Sequence, residues 1–145
     1  MWTSFNENNF PNVYVKMVGK PKDMEEFNWF TEKWDSFNYN FNNAKYTFIF
    51  DTREVGYVNV KYAFKMIDFI KKLKTGESQN LIGSIIIVRN SYVKFLLNLI
   101  FFFQKPVADV YLTSSADPEI HSKILTDIHN DDTKNSYPSI TIIRK

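Results

Sequence analysis

Leu81-Ile82-Gly83-Ser84-Ile85-Ile86-Ile87-Val88 is the stretch that decides the fold. A run so apolar and β-branched has no polar side to turn to water, so it reads as a strand buried on both faces. Such strands belong to parallel sheets, whose crossover helices cover the two faces. It is therefore expected near the middle of the sheet. On its N-terminal side, residues 59–74 place Val60, Ala63, Phe64, Ile67, Ile70 and Leu73 on one helical face and Lys61, Lys65, Asp68, Lys71 and Lys72 on the other, with Asn59 as the cap. On its C-terminal side, Ser91 to Gln104 form a third helix that Pro106 ends, and Val110-Tyr111-Leu112-Thr113 read as the next strand.

The alternation continues outward. Val13 to Val18 read as a strand stopped by Gly19, and Asp23 to about Asn38 as a helix with Met24, Phe27, Phe30, Trp34 and Phe37 inward. Asn40 to Lys45 form a polar loop before the strand Tyr46-Thr47-Phe48-Ile49-Phe50. Asp117-Pro118 reads as a cap and first helical position opening a helix to about Asn130, and Ser139 to Ile143 as a last strand. Strand and helix in strict alternation predict an α/β domain over residues 1–145: a mixed, mostly parallel sheet of about five strands with helices on both faces. Residues 1–12 are expected as an N-terminal extension and 136–145 as the C-terminal strand segment. An antiparallel edge is expected from Ser139–Ile143 or from residues before Phe10.

Composition supports one folding unit. The chain has 145 residues, 44% hydrophobic and 17% aromatic, enough apolar surface for a core without staples. The net charge of +2 predicts no nucleic-acid footprint, and Lys71-Lys72-Leu73-Lys74 reads as cations at a helix C-terminus. Zero cysteines exclude disulfides, thiolate metal sites and cysteine nucleophiles. The start, Met1-Trp2-Thr3-Ser4-Phe5-Asn6, lacks the basic-then-apolar order of a secretory signal, so an intracellular, cytoplasmic location is expected. The longest apolar run, Phe95–Phe103, is interrupted by Asn98 and falls short of the ~20 residues that span a bilayer. Abundant Asn, Lys, Ile, Phe and Tyr suggest an AT-rich coding sequence, as in certain viruses, protists or bacteria.

The stretch from Val13 to about Ile124 resembles the STAS domains, the SpoIIAA-like fold of bacterial anti-sigma-factor antagonists, and the related lipid-binding CRAL-TRIO domains. The strand Tyr46–Phe50 followed by Asp51-Thr52-Arg53-Glu54-Val55-Gly56-Tyr57-Val58-Asn59-Val60 is similar to the STAS segment in which an aspartate ends a strand and a short apolar hook leads into the next helix. The stretch from Ile87-Val88-Arg89-Asn90-Ser91-Tyr92 through Pro106 is similar to CRAL-TRIO, where a strand ends near an Asn and an apolar helix follows. The resemblance implies a non-catalytic binding role. Asn59-Val60 stands where phosphorylatable STAS domains carry Asp-Ser, so phosphorylation of this helix start is not expected; Thr52, the nearby hydroxyl, lies at a different place in the match.

Few residues are arranged for chemistry. The four glycines form no phosphate-binding loop, and no serine lies in a nucleophile elbow, so neither a hydrolase nor a kinase is indicated. No metal and no cofactor are expected. His121 and His129 are eight residues apart and so do not share one helical turn; Asp117 and His121 do, in a pattern ordinary helix surfaces also show. Asp51, at a strand's carboxyl end, lies where open α/β sheets bind ligands, or caps the turn before Gly56.

The third helix is the most informative. Between Tyr92 and Phe103 only Lys94 and Asn98 are strongly polar, although a helix touches a sheet along a single stripe. Its outer face needs a cover, either the aromatic N-terminal segment with Trp2, Phe5 and Phe10, or a partner or lipid surface. The candidate binding residues are therefore Asp51, Asn59, Tyr92, Phe95, Leu99, Phe102 and Phe103. Three functions are consistent with this pattern. The first is a protein-interaction or self-association module. The second is a carrier of a lipid or other apolar ligand, needing a cavity of roughly several hundred Å³. The third is an enzyme using Asp51, Asp117 and His121.

Overall fold

The computed structural model describes residues 1–145. Six strands, β1 (Thr3–Asn6), β2 (Asn12–Gly19), β3 (Tyr46–Val55), β4 (Leu81–Ile87), β5 (Val110–Thr113) and β6 (Thr141–Ile143), form one sheet in their order along the chain. The pairs β2–β3, β3–β4 and β4–β5 are parallel, and β1 and β6 add an antiparallel strand at each edge. Both segments considered for the edge are thus used, which makes six strands rather than about five. The N-terminal extension is partly strand: Thr3 to Asn6 pair with Met17 back to Tyr14. β4 is interior, as its unbroken apolar run requires.

Four helices connect the strands: α1 (Met24–Ser36), α2 (Val60–Thr75), α3 (Ser91–Phe103) and α4 (Pro118–His129). Each begins at a side chain able to satisfy free N–H groups of the first turn. Asp23, Asn59, Asn90 and Asp117 accept from the backbone N–H of Glu26, Lys61, Tyr92 and Glu119 at 2.8–3.0 Å. The strand alternation then separates two layers. Val13, Val15, Phe48, Phe50, Ile86, Val110 and Leu112 share a core with α1, α2 and α3, while Ile85 and Tyr111 point the other way, into Ile124, Leu125 and Ile128 of α4. Helices thus cover both faces, three on one and one on the other.

The three-helix side is built on aromatic contacts. Phe48 meets Tyr46, Phe50, Trp34 and Phe37 with centroids 5.1–5.6 Å apart. The N-terminal aromatics join this group: Trp2 packs on Phe27 and Phe30, Phe5 on Trp29 and Phe37, and Phe10 on Phe41. These rings close over α1. The antiparallel pairing of β1 to β2 places Trp2 and Phe5 there, so α3 does not acquire them as its outer cover. On the opposite side Gly83 lets α4 approach β4, because a Cβ at this position would lie 2.8–3.1 Å from three atoms of Ile128.

β3 and α2 depart from expectation in ways that bear on the site. β3 continues past Phe50 to Val55, because Asp51, Glu54 and Val55 find partners in Lys16, Val18 and Gly19 of β2. In α2, Val60 and Phe64 are exposed, and the buried stripe is Tyr62, Ala63, Ile70 and Leu73.

Candidate functional site

α3 turns Val93, Leu96 and Ile100 inward at steps of three and four, a single stripe on the sheet. The remaining large side chains have nowhere inside to go. Phe95 and Phe103 are more than half exposed and Phe102 is 82% exposed, while Tyr92 and Leu99 are half-buried beside them. α2 and the segment before it extend this surface. Tyr57, 78% exposed, stacks on Tyr92 with centroids 4.3 Å apart, and Tyr92 Oη donates to the Val58 carbonyl at 2.5 Å. Tyr92 reaches Phe95 at 6.1 Å, Phe64 reaches Phe103 at 6.2 Å, and Phe102 stands edge-on to Phe103 at 5.1 Å. The result is an exposed aromatic surface across two neighbouring helices.

This surface lies in the basic part of the chain. Residues 60–105 carry seven lysines and one arginine against Asp68 and Glu77, a net +6 in a chain whose total is +2. Lys61, Lys65, Lys94 and Lys105 are exposed and adjoin the aromatic residues in sequence. None of them takes part in the chain's four ion pairs.

Of the sequence candidates, Tyr92, Phe95, Leu99, Phe102 and Phe103 are brought together on this face. Asn59 lies at its edge, where its side chain caps α2. Asp51 is not part of it. Asp51 is buried within β3: it accepts from Arg53 Nε and Nη2 at 2.9 and 2.7 Å, from Tyr14 Oη at 2.7 Å and, locally, from the backbone N–H of Arg53 at 3.1 Å. These hydrogen bonds, those from Arg53 foremost, hold its carboxyl well below the usual carboxylate range. Thr52 is buried with its hydroxyl donating to the Ile87 carbonyl at 2.6 Å. Sequence reasoning missed Tyr57 and Phe64 as surface residues. The available signal was that Phe64 lies one helical turn after Val60, on an edge of a stripe too wide for one contact line.

Two concavities accompany the surface. Beneath α2 and α3 lies an apolar cavity of about 150 Å³, bounded by 25 residues, 22 of them hydrophobic, among them Trp34, Met66, Ile86, Val93 and Leu96. On the opposite face a groove of about 650 Å³ with mixed lining runs between α4 and the open part of the sheet, past Asn12, Tyr14, Arg53, Ser122 and His129 as well as Ile49 and Leu125. The groove's ionisable groups are engaged with protein partners. Arg53 is held by Asp51, His121 Nε2 lies 2.8 Å from the Ser115 carbonyl, and His129 Nε2 lies 2.9 Å from Asn12 Oδ1. Neither histidine is hydrogen-bonded to a serine or threonine side chain, the arrangement an activated hydroxyl nucleophile would show. Asp117 is occupied as the α4 cap. No three His, Asp or Glu side chains converge as metal ligands, and no helix is long and apolar enough to cross a membrane.

The architecture has a counterpart of known structure. An uncharacterized protein of the DUF3478 family with a SpoIIAA-like fold, from Shewanella loihica PV-4, superposes with a TM-score of 0.58 over 85% of this chain and 91% of its own, at 13% sequence identity. The chain therefore has a SpoIIAA-like α/β fold. No family model and no curated protein matches its sequence.

Proposed function

We propose that this protein is a non-catalytic docking domain whose working surface is the outer aromatic face of α3 and the start of α2. The observation that carries this reading is the exposure of Phe102, at 82%, within a group of aromatic neighbours that the fold leaves uncovered. The reading is tested by fractionating lysate of the cells that make the protein. Wild-type chain is expected in a larger species or in the particulate fraction, with Phe102→Lys returning it to the free monomer. A wild-type chain that already runs as free monomer, or a Phe102→Lys chain that fractionates like wild type, contradicts the reading.

The cavity favours a second reading, the uptake of an apolar molecule between the helices and the sheet. Its volume matches that of cavities that accept a single benzene ring and lies below the ~300 Å³ at which ordinary ligand pockets begin. A CRAL-TRIO-like lipid would require α3 to move outward. Xenon or benzene raising the melting temperature of the wild-type chain, but not of a cavity-filling variant, supports this reading; no effect on either speaks against it.

A further inference from the structure

We propose that the partner of the aromatic face is an anionic lipid surface, on which α2 and α3 lie without crossing it; this rests on the docking reading and names what is docked to. Three features of the face point the same way. The first is charge: the segment that carries the aromatics holds a net +6, which leaves −4 for the rest of the chain, so the positive charge is concentrated in the part of the chain that forms α2 and α3. The lysines nearest the aromatics are exposed and free of carboxylates, with their charge available to an external anion.

The second feature is residue type. The exposed cations next to the aromatics in sequence are lysines, which act as mobile point charges, and the only arginine of the segment, Arg89, donates to the Ser114 carbonyl. Protein hot spots are enriched in arginine beside tyrosine and tryptophan, and arginine supplies the planar fork that suits bidentate recognition. Lys with Phe and Leu is instead the composition of helices that rest in the bilayer interface, apolar face in the acyl boundary and ammonium groups among the phosphates. The third feature is shape. Phe102 and Tyr57 project, and neither the apolar cavity nor the groove beside α4 is lined by them. A projecting ring suits a deformable surface that closes around it; a protein partner would have to supply a matching pocket for each.

Sedimentation of the full chain with vesicles of phosphatidylcholine, with and without phosphatidylserine, tests the proposal. Wild-type chain is expected to pellet with the phosphatidylserine vesicles, to bind the neutral ones far more weakly, and to be released by salt. Lys61→Gln, Lys65→Gln and Lys94→Gln are each expected to weaken partition about fivefold, and Phe102→Ser by about tenfold or more. All four positions are exposed, and unchanged far-ultraviolet circular dichroism confirms that the variants fold. Absence of binding to either vesicle, equal binding to both, or binding indifferent to Phe102→Ser overturns the lipid proposal. If vesicles fail while Phe102→Lys still frees the chain in lysate, only the lipid partner falls; if both fail, the docking reading falls with it.

Discussion

Asp51 and Phe102 show how far a residue's role depends on what the fold places beside it. Asp51 stands at a strand end when only the sequence is read, yet β3 continues and buries it against Arg53 and Tyr14. Because its carboxyl titrates far below the unfolded value, the folded state takes up fewer protons than the unfolded chain once pH falls below about 4. Its contribution is therefore complete at neutral pH and lost as acidity rises from there. Urea titrations are expected to show Asp51→Asn less stable than wild type by about 2 kcal/mol at pH 7, with the gap closing as pH falls below about 4. A gap that widens in acid contradicts this assignment. Phe102 is the opposite case, a large apolar side chain that contacts almost nothing inside. Phe102→Lys is expected to leave unfolding free energy within about 0.5 kcal/mol of wild type.

At the scale of elements, β4 and α4 meet at Gly83, where any side chain would press on Ile128. Ile128 is β-branched and backed by Ile124 and Leu125, so it yields poorly; Gly83→Ala is expected to cost about 1–3 kcal/mol, read from the shift in denaturation midpoint. On the other face, Val93 borders the cavity, and Val93→Ile is expected to stabilise by up to about 0.8 kcal/mol as the added methylene fills empty space. Destabilisation by Val93→Ile would mean the space is not available to it. The elements themselves were legible because Ile85-Ile86-Ile87-Val88, the caps Asn59 and Asp117, and the stop at Gly19 each act locally. An antiparallel edge from residues before Phe10 was legible as one of two options, but its partner strand and register were not. Nothing within Trp2 to Asn6 states that it pairs with residues 14–17, and that pairing sends Trp2 and Phe5 to α1 rather than over α3. The buried stripe of α2 is narrower than its apolar periodicity, since periodicity identifies apolar positions without saying which of them a neighbour covers.

At the scale of the molecule, one face of the sheet carries three helices and the outermost surface of two of them is aromatic with lysines beside it, while the other face carries α4 and a groove of mixed polar and apolar lining. The surplus of apolar residues on α3 was evident in the sequence; the decision between an internal and an external cover depended on where the N-terminus goes. That asymmetry makes the exposed face the central claim. Hydroxyl-radical labelling of side chains, compared between the purified chain and the chain in its own cell lysate, addresses it directly. The expected result is heavy labelling of Phe95, Phe102 and Phe103 in the purified chain and protection of the same three in lysate, with Tyr39, exposed on another part of the surface, labelled equally in both. Equal labelling of Phe102 in the two samples would contradict the claim that this face is where the protein docks.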